Sequence, residues 1–134
     1  MDEIIRGPAV PERAIRAKAL NCYSVVDSHQ YALMGHAADA GTREACGVIT
    51  HNGLLWTLTN LIKPYQEQDA EFRIEPNDLL KVWAYTAAIW HTHPNGSLRP
   101  STRDTAGHPD TNVDGRRLGM VIATTDDVAV VIPW

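Results

Sequence analysis

Hydrophobic positions along the chain fall into short apolar runs and helix-spaced stripes, separated by polar, turn-rich stretches. Apolar residues at helical spacing predict a helix from about His29 to Asp39, which Gly41 ends. A second helix is predicted from Asp78 to about Thr86, with Asn77 as its N-cap. Residues 94–117 are rich in Pro, Gly, Ser, Thr and Asp, which favours a loop containing a helical turn or two.

Short apolar runs bounded by turn residues predict strands at residues 45–50, 54–61, 71–74, 87–91, 118–123 and 128–132. His51-Asn52-Gly53 separates the first two runs and is typical of a tight hairpin, with Asn-Gly supplying positive φ angles. Helices that alternate with strands, with hairpins beside them, predict an α/β domain in which helices pack on a mixed β-sheet.

The chain of 134 residues has the size of one domain and is long enough to bury a core. We interpret residues 1–20 as an N-terminal arm because they contain Pro8 and Pro11, with a short helix from Glu12 to Leu20. Residues 21–134 are predicted to form the domain itself.

Charge and composition exclude several classes of function. The formal net charge is -4, and the twelve Lys and Arg residues are scattered, so phosphate-mediated binding of nucleic acid is disfavoured. No apolar run approaches the length of a membrane span, and the first residues lack the pattern of a signal peptide. Only two cysteines are present, which favours a reduced, cytoplasmic protein. The oligomeric state stays open.

The clearest chemical pattern is His91-Thr92-His93-Pro94, at the end of a predicted buried strand. Side chains two apart on a strand point to the same face, so both imidazoles can reach one point. Catalytic zinc usually has three protein ligands and one open position, and Asp104 lies eleven residues after His93, across a loop. The alternative is that the two histidines only satisfy hydrogen bonds near a strand end. We interpret the other four histidines, His29, His36, His51 and His108, as structural or solvated.

Ser101-Thr102-Arg103-Asp104 has the form of a capping box, which by itself explains both Ser101 and Asp104. A capped helix start is also a rigid mount for a metal ligand. Glu44 precedes a predicted strand and is either a solvated surface charge or a carboxylate that takes a proton from water at the metal.

Together these motifs resemble the signature of the JAB/MPN (JAMM) metallopeptidase family. The signature is a Glu ahead of Cys-Gly, then His-Ser/Thr-His-Pro, then Ser-x-x-Asp, and it covers the chain from about residue 24. The resemblance implies zinc ligands at His91, His93 and Asp104, a catalytic base at Glu44 and an oxyanion donor at Ser101. It also implies a three-layer α/β fold with a mixed, twisted sheet, related in shape to nucleoside deaminases.

The implied activity is zinc-dependent hydrolysis of a peptide or isopeptide bond, at the tail of a ubiquitin-like or sulfur-carrier protein or during phage tail assembly. Thr42 and Trp90 depart from the residues common in the family, and the compact size is similar to the prokaryotic and phage branch. The alternative is a catalytically silent scaffold or tail-assembly module that binds a partner. A zinc deaminase is set aside because it requires His-x-Glu and a Cys pair. A third interpretation is a surface for peptide or base recognition formed by Trp56, Trp83, Trp90 and Trp134, of which Trp83 and Trp90 are better explained as core.

Overall fold

A mixed six-stranded sheet lies at the centre of the part of the chain that the computed structural model describes, residues 3–6, 29–62, 72–109 and 118–132. In chain order its strands are β1 (Glu3–Arg6), β2 (Cys46–Thr50), β3 (Leu55–Leu58), β4 (Thr86–Thr92), β5 (Gly119–Ala123) and β6 (Val128–Ile132). Their order in the sheet is β1-β6-β5-β4-β2-β3. The pairs β1–β6 and β4–β5 are parallel, and the other three pairs are antiparallel.

Helices cover both faces of this sheet. The helices of the described ranges are α1 (Gln30–Ala40), α2 (Pro76–Val82), which a 3-10 turn at Trp83–Tyr85 continues, and α3 (Thr102–Gly107). Leu33 of α1 packs in one cluster with Trp90, whereas Val82 of α2 packs in another with Ile89. Successive strand residues point to opposite faces, so α1 and α2 lie on opposite sides of β4. The predicted three-layer α/β class is confirmed.

We call these two sides the α1 face and the α2 face. The α1 face carries Ile49, Ala88, Trp90, Val121 and Val130, and the α2 face carries Val48, Ile89, His91, Met120 and Ile122. Strands β4 and β5 are buried on both faces, which explains why their sequences read as continuous apolar runs rather than as an alternation.

On the α1 face, a glycine of β2 makes room for the largest side chain of β4. Trp90 is completely buried, and its indole N–H donates to the carbonyl of Trp56 on β3 over 3.1 Å. Strand β2 lies between, so the indole crosses it at Gly47, where a Cβ would lie 1.8 Å from that carbonyl oxygen and 2.6 Å from the indole nitrogen. His36 of α1 stacks on the indole with ring centroids 5.2 Å apart. Gly47 therefore allows a Trp to precede the histidine pair.

Helix α2 begins and ends earlier than predicted. Its N-cap is Glu75, whose carboxylate accepts from the Asp78 N–H over 2.8 Å, and not Asn77. Pro76 takes the first helical position, where its missing N–H costs no hydrogen bond. The predicted end at Thr86 is also wrong, because Thr86 opens β4.

The β2–β3 hairpin is confirmed, but its turn differs in one respect. Gly53 has a φ of 87°, whereas Asn52 does not have the positive φ predicted for it. Thr50 and Leu54 close a three-residue loop with Gly53 in the left-handed region, an arrangement that needs only one such residue.

Two predicted strands are shorter than expected, and the N-terminal segment contributes a strand. Strand β3 ends at Leu58. In place of the predicted strand 71–74, the described residues of that range form an isolated bridge, in which Ile74 pairs with Asn60. Residues 3–6, within the predicted arm, pair with β6, and the helix predicted from Glu12 to Leu20 lies outside the described residues. No helix in the described ranges has the length and apolarity to span a bilayer.

Candidate metal centre

Two histidines lie at the end of β4 and are both buried. His91 pairs with Cys46 of β2 and with Ile122 of β5, and its exposed fraction is 1%. His93 follows the strand, and its backbone N–H donates to the carbonyl of Ala123 over 2.9 Å. The two Nε2 atoms lie 3.0 Å apart, so the spacing within the sequence does bring both rings to one point.

The third side chain comes from the first turn of α3. Ser101 is the N-cap, and its hydroxyl accepts from the Asp104 N–H over 3.1 Å while Asp104 Oδ2 accepts from the Ser101 N–H over 2.8 Å. The predicted capping box is therefore present. The same Oδ2 atom lies 3.1 Å from His91 Nε2 and 3.0 Å from His93 Nε2. Capping fixes the carboxylate that faces the two imidazoles.

These three atoms form a nearly equilateral triangle. If both Nε2–H groups donate to Oδ2, the 3.0 Å contact between the two nitrogens is left without a hydrogen bond, because each N–H then points about 60° away from the other nitrogen. Two ligands that are 2.0–2.1 Å from a tetrahedral zinc ion lie about 3.3–3.4 Å apart. The observed separations of 3.0 to 3.1 Å are close to that edge length. The donor set of two imidazoles and one carboxylate therefore fits a zinc ion.

The Nδ1 atoms, which lie away from the cluster, differ between the two histidines in their hydrogen bonding. His93 Nδ1 lies 2.9 Å from the carbonyl of Ser97, so in the neutral imidazole Nδ1 carries the proton and Nε2 keeps its lone pair for a metal. His91 Nδ1 is buried and has no hydrogen-bond partner among the described residues, and the ring stacks on Phe72 with centroids 4.5 Å apart.

Electrostatics favour the forms that a cation requires at His91 and Asp104, whereas His93 in the absence of a cation is favoured in its protonated form. Burial lowers the pKa of His91 and prevails over its hydrogen bond to Asp104. Burial also lowers the pKa of His93, but its bonds to Asp104 and to the Ser97 carbonyl and the nearby charges outweigh this, so the pKa rises. Burial raises the pKa of Asp104, yet the hydrogen bonds from both imidazoles hold it well below its usual value. Asp104 is therefore ionised, as a metal ligand must be.

Glu44 joins this group from a different part of the sheet. It precedes β2 and is 4% exposed, so it is not the solvated surface charge that was the alternative. One ligand atom from each of Glu44, His91, His93 and Asp104 lies within 4.8 Å of the others. Cys46, two residues on, is a free thiol whose pKa burial and the charge of Glu44 raise to about 12, so it takes no part as a thiolate.

A cavity of about 340 Å³ opens beside the centre. His91 and Asp104 lie on its wall, which is otherwise mainly apolar and includes Phe72, Leu79 and Met120. Its volume is at the lower end of the range of small-ligand pockets. The cluster of two histidines and two carboxylates therefore borders, through His91 and Asp104, a cavity into which a substrate can extend.

Sequence reasoning brought the four converging side chains together but missed the residues that hold them. The Ser97 carbonyl and the Phe72 ring contact the histidines, yet both belong to loops, and neither has a pattern that points to a metal. His108 contributes to the cavity wall and lies 3.0 Å from the Leu118 carbonyl through Nε2. Ser101 is exposed and contacts the centre through its capping bonds with Asp104.

The structure thus combines a three-layer α/β domain with two histidines, an aspartate and a glutamate that converge near the end of β4 as a candidate metal centre. The sequence matches the family of prokaryotic homologs of the JAB domain over residues 26–132. The chain belongs to this family, which confirms the resemblance of its motifs.

Two individual proteins are also similar to this chain, at 31% and 16% sequence identity. Tail tip assembly protein K of Escherichia phage N15 is 31% identical over 77 residues, which are 56% of this chain. The matched part is 32% of that phage protein, so the chain corresponds to about a third of its length. The solution structure of protein DSY2949 from Desulfitobacterium hafniense aligns with a TM-score of 0.49 at 16% identity, over 96% of this chain and 92% of that one.

Proposed function

We propose that this chain is a zinc-dependent hydrolase of amide bonds in a peptide or protein, with a role in phage tail assembly. The observation that carries the proposal is the convergence of Glu44, His91, His93 and Asp104 within 4.8 Å. Three of these would hold the ion, and the fourth is a buried carboxylate at a distance suited to a base. The cellular role rests on the similarity to the phage tail tip assembly protein.

In this mechanism His91, His93 and Asp104 would hold zinc through Nε2, Nε2 and Oδ2. Zinc bound there supplies Lewis acidity, which makes water nucleophilic near neutral pH and polarises a carbonyl. A Glu44 carboxylate oxygen takes the proton from the attacking water and returns it to the leaving amine nitrogen. The Ser101 hydroxyl, fixed at the N-cap of α3, donates to the oxygen on which negative charge develops.

The apolar cavity supports a peptide as the substrate. Its wall includes two of the proposed ligands, so a chain that presents its amide to the centre extends an adjoining side chain into that space. The burial of apolar area there contributes to substrate binding at a distance from the reacting atoms.

Glu44→Gln tests the assignment of the base. The amide keeps the shape of the side chain but accepts no proton, so we expect zinc to bind normally and peptide turnover to fall by about a thousandfold or more. Zinc content by elemental analysis and cleavage of a peptide library by mass spectrometry measure the two effects. Asp78→Asn, in α2, is a matched control and should leave both unchanged.

The same measurements distinguish the enzyme from a partner-binding scaffold. About one zinc per chain, lost in His93→Ala, together with cleavage that Glu44→Gln abolishes, agrees with the proposal. A folded chain that takes up no zinc, or cleavage that continues at the original rate in Glu44→Gln, contradicts it.

A further inference from the structure

The peptide unit that joins Glu44 to Ala45 is held at both of its polar ends. Its carbonyl oxygen accepts from the Asn60 side-chain amide over 3.0 Å. Its N–H donates to the Thr92 hydroxyl over 2.9 Å. A peptide unit is planar, so two bonds on opposite sides fix its orientation and thereby restrict ψ of Glu44 and φ of Ala45. We call this pair of bonds the peptide clamp.

Thr92 accepts its hydrogen bond at the end of the ladder between β2 and β4, where the regular backbone pairing stops. The last registered pair is Cys46 with His91, and one step further the Thr92 N–H donates to the Ala45 carbonyl over 3.0 Å. In a regular antiparallel pair the Ala45 N–H would return a bond to the Thr92 carbonyl. Here the Thr92 hydroxyl accepts it instead. The residue between the two histidines thus connects their strand directly to the segment of Glu44.

Asn60 makes its bond from the other side and is itself anchored. Its Oδ1 atom accepts from the N–H groups of Ile62 and Arg73, both over 3.0 Å. These bonds leave the amide nitrogen directed at the Glu44 carbonyl. Thr92 is 1% exposed and Glu44 is 4% exposed, so the Thr92 half of the clamp is shielded from water, and hydrogen bonds hold geometry more strongly there. Asn60, on the other side, is half-buried.

We propose that Thr92 and Asn60 are positioning residues that keep the Glu44 carboxylate over the metal ligands. Neither side chain is among the four converging groups, and each acts through the backbone of Glu44. The consequence for catalysis rests on the proposed function, whereas the fixed orientation of the peptide unit is a property of the protein with or without a substrate.

Thr92→Val and Thr92→Ser form a matched pair that isolates the hydroxyl. Val keeps the β-branched shape and removes the acceptor, while Ser keeps the acceptor. In metal-free protein we expect the Ala45 amide hydrogen of Thr92→Val to exchange on the order of tenfold faster than in wild type, because its bond is lost. Thr92→Ser should stay within about threefold of wild type. Nuclear magnetic resonance resolves this single amide, and a thermal melt verifies that each variant is folded.

Two further readouts separate positioning from a general structural role. Zinc affinity should change by less than about threefold in Thr92→Val, since all three ligands remain. The value of kcat should fall by about tenfold or more with KM unchanged, and this effect should vanish in the Glu44→Gln background, because coupled residues are not additive. Asn60→Asp, which keeps the Oδ1 acceptor but removes the donor, should lower kcat in the same way.

Equal exchange of the Ala45 amide in Thr92→Val and wild type would overturn the clamp, as would Thr92→Ser behaving like Thr92→Val. Faster exchange with undiminished kcat would overturn its role in positioning the base. A wild-type protein that cleaves no substrate counts against the proposed function alone, because the exchange measurement still decides whether the peptide unit is held.

Discussion

The two faces of the sheet are packed to different degrees. On the α1 face Trp90 lies over Gly47 so closely that a single added carbon would lie 1.8 Å from a backbone oxygen. On the α2 face His91 borders a cavity of about 340 Å³. Both faces belong to the same strands, and neighbouring residues of β4 contribute to each.

This difference separates the residues that maintain the fold from those that leave room for chemistry. Close packing on the α1 face holds β4 against β2 and β3 through an indole that bonds across an intervening strand. The end of β4 is then held so that His91 borders the cavity on the other side. A site needs such support because small displacements of its ligands cost activity.

The largest effect is expected from filling the closest contact of the α1 face. Gly47→Ala places a methyl group against a backbone carbonyl and the Trp90 ring, so either β3 or the indole must move. We expect it to lower the free energy of unfolding by more than about 3 kcal/mol. Urea titration measures the change.

Gly35→Ala is the control for that substitution. Gly35 is exposed on α1, and nothing lies within 4 Å of where its Cβ would stand. There the added methyl should raise stability by about 0.5–1 kcal/mol, because Gly is unfavourable within a helix. Equal effects at Gly47 and Gly35 would contradict the close packing of the α1 face.

A smaller effect is expected when side-chain volume is added to each face in turn. Ala88→Val enlarges a buried residue of the hydrophobic cluster on the α1 face and should lower the free energy of unfolding by about 1–3 kcal/mol through overpacking. Leu79→Phe extends into the cavity of the α2 face and should change stability by less than about 1 kcal/mol. It should weaken peptide binding to zinc-free protein, measured by calorimetry. A larger stability loss in Leu79→Phe than in Ala88→Val would reverse the comparison.

The last effect, on chemical reactivity near neutral pH and not on stability there, concerns Cys46, on the α2 face beside Glu44. Its pKa is raised from 9.0 to about 12, so native protein near pH 8 should react with iodoacetamide at least about a hundredfold more slowly at Cys46 than unfolded protein does. Peptide mapping by mass spectrometry follows the reaction. Because the folded pKa is the higher one, the stabilisation by this thiol is complete below about pH 9 and is lost as pH rises toward 12. Equal rates at Cys46 in native and unfolded protein would contradict its burial.

Much of the sheet could be predicted from the sequence because burial on both faces leaves long apolar runs. The runs around Trp90 and Val121 have this form, and the strands there were predicted to within one residue at most boundaries. The start of α2 differs from the prediction because Glu75 serves as the N-cap, a position at which Asn is more common, and Pro76 fits the first helical position. The hairpin was predicted with positive φ angles at both Asn52 and Gly53, but the three-residue loop that forms needs a positive φ only at Gly53.

His91, His93 and Asp104 could be found because metal chemistry restricts which residue types serve and how they are spaced, whereas Glu44 was placed beside them by the resemblance to the family. The Asn60 amide, the Ser97 carbonyl and the Phe72 ring could not, since each reaches the centre through the return of a loop. A backbone carbonyl is present in every residue and leaves no mark on the sequence. Contacts of this kind depend on the finished fold rather than on local pattern.

The bridge between Asn60 and Ile74 joins the two ends of the segment that lies between them in the sequence. Hydrogen bonds from Leu61 to Arg73 and from Glu75 to Thr59 join the two ends of the intervening segment on either side of that bridge. Each doubling of a loop's length costs only about 0.6 kcal/mol in closure entropy. Segments of other lengths and compositions can therefore be grafted between these hydrogen bonds while the sheet is retained.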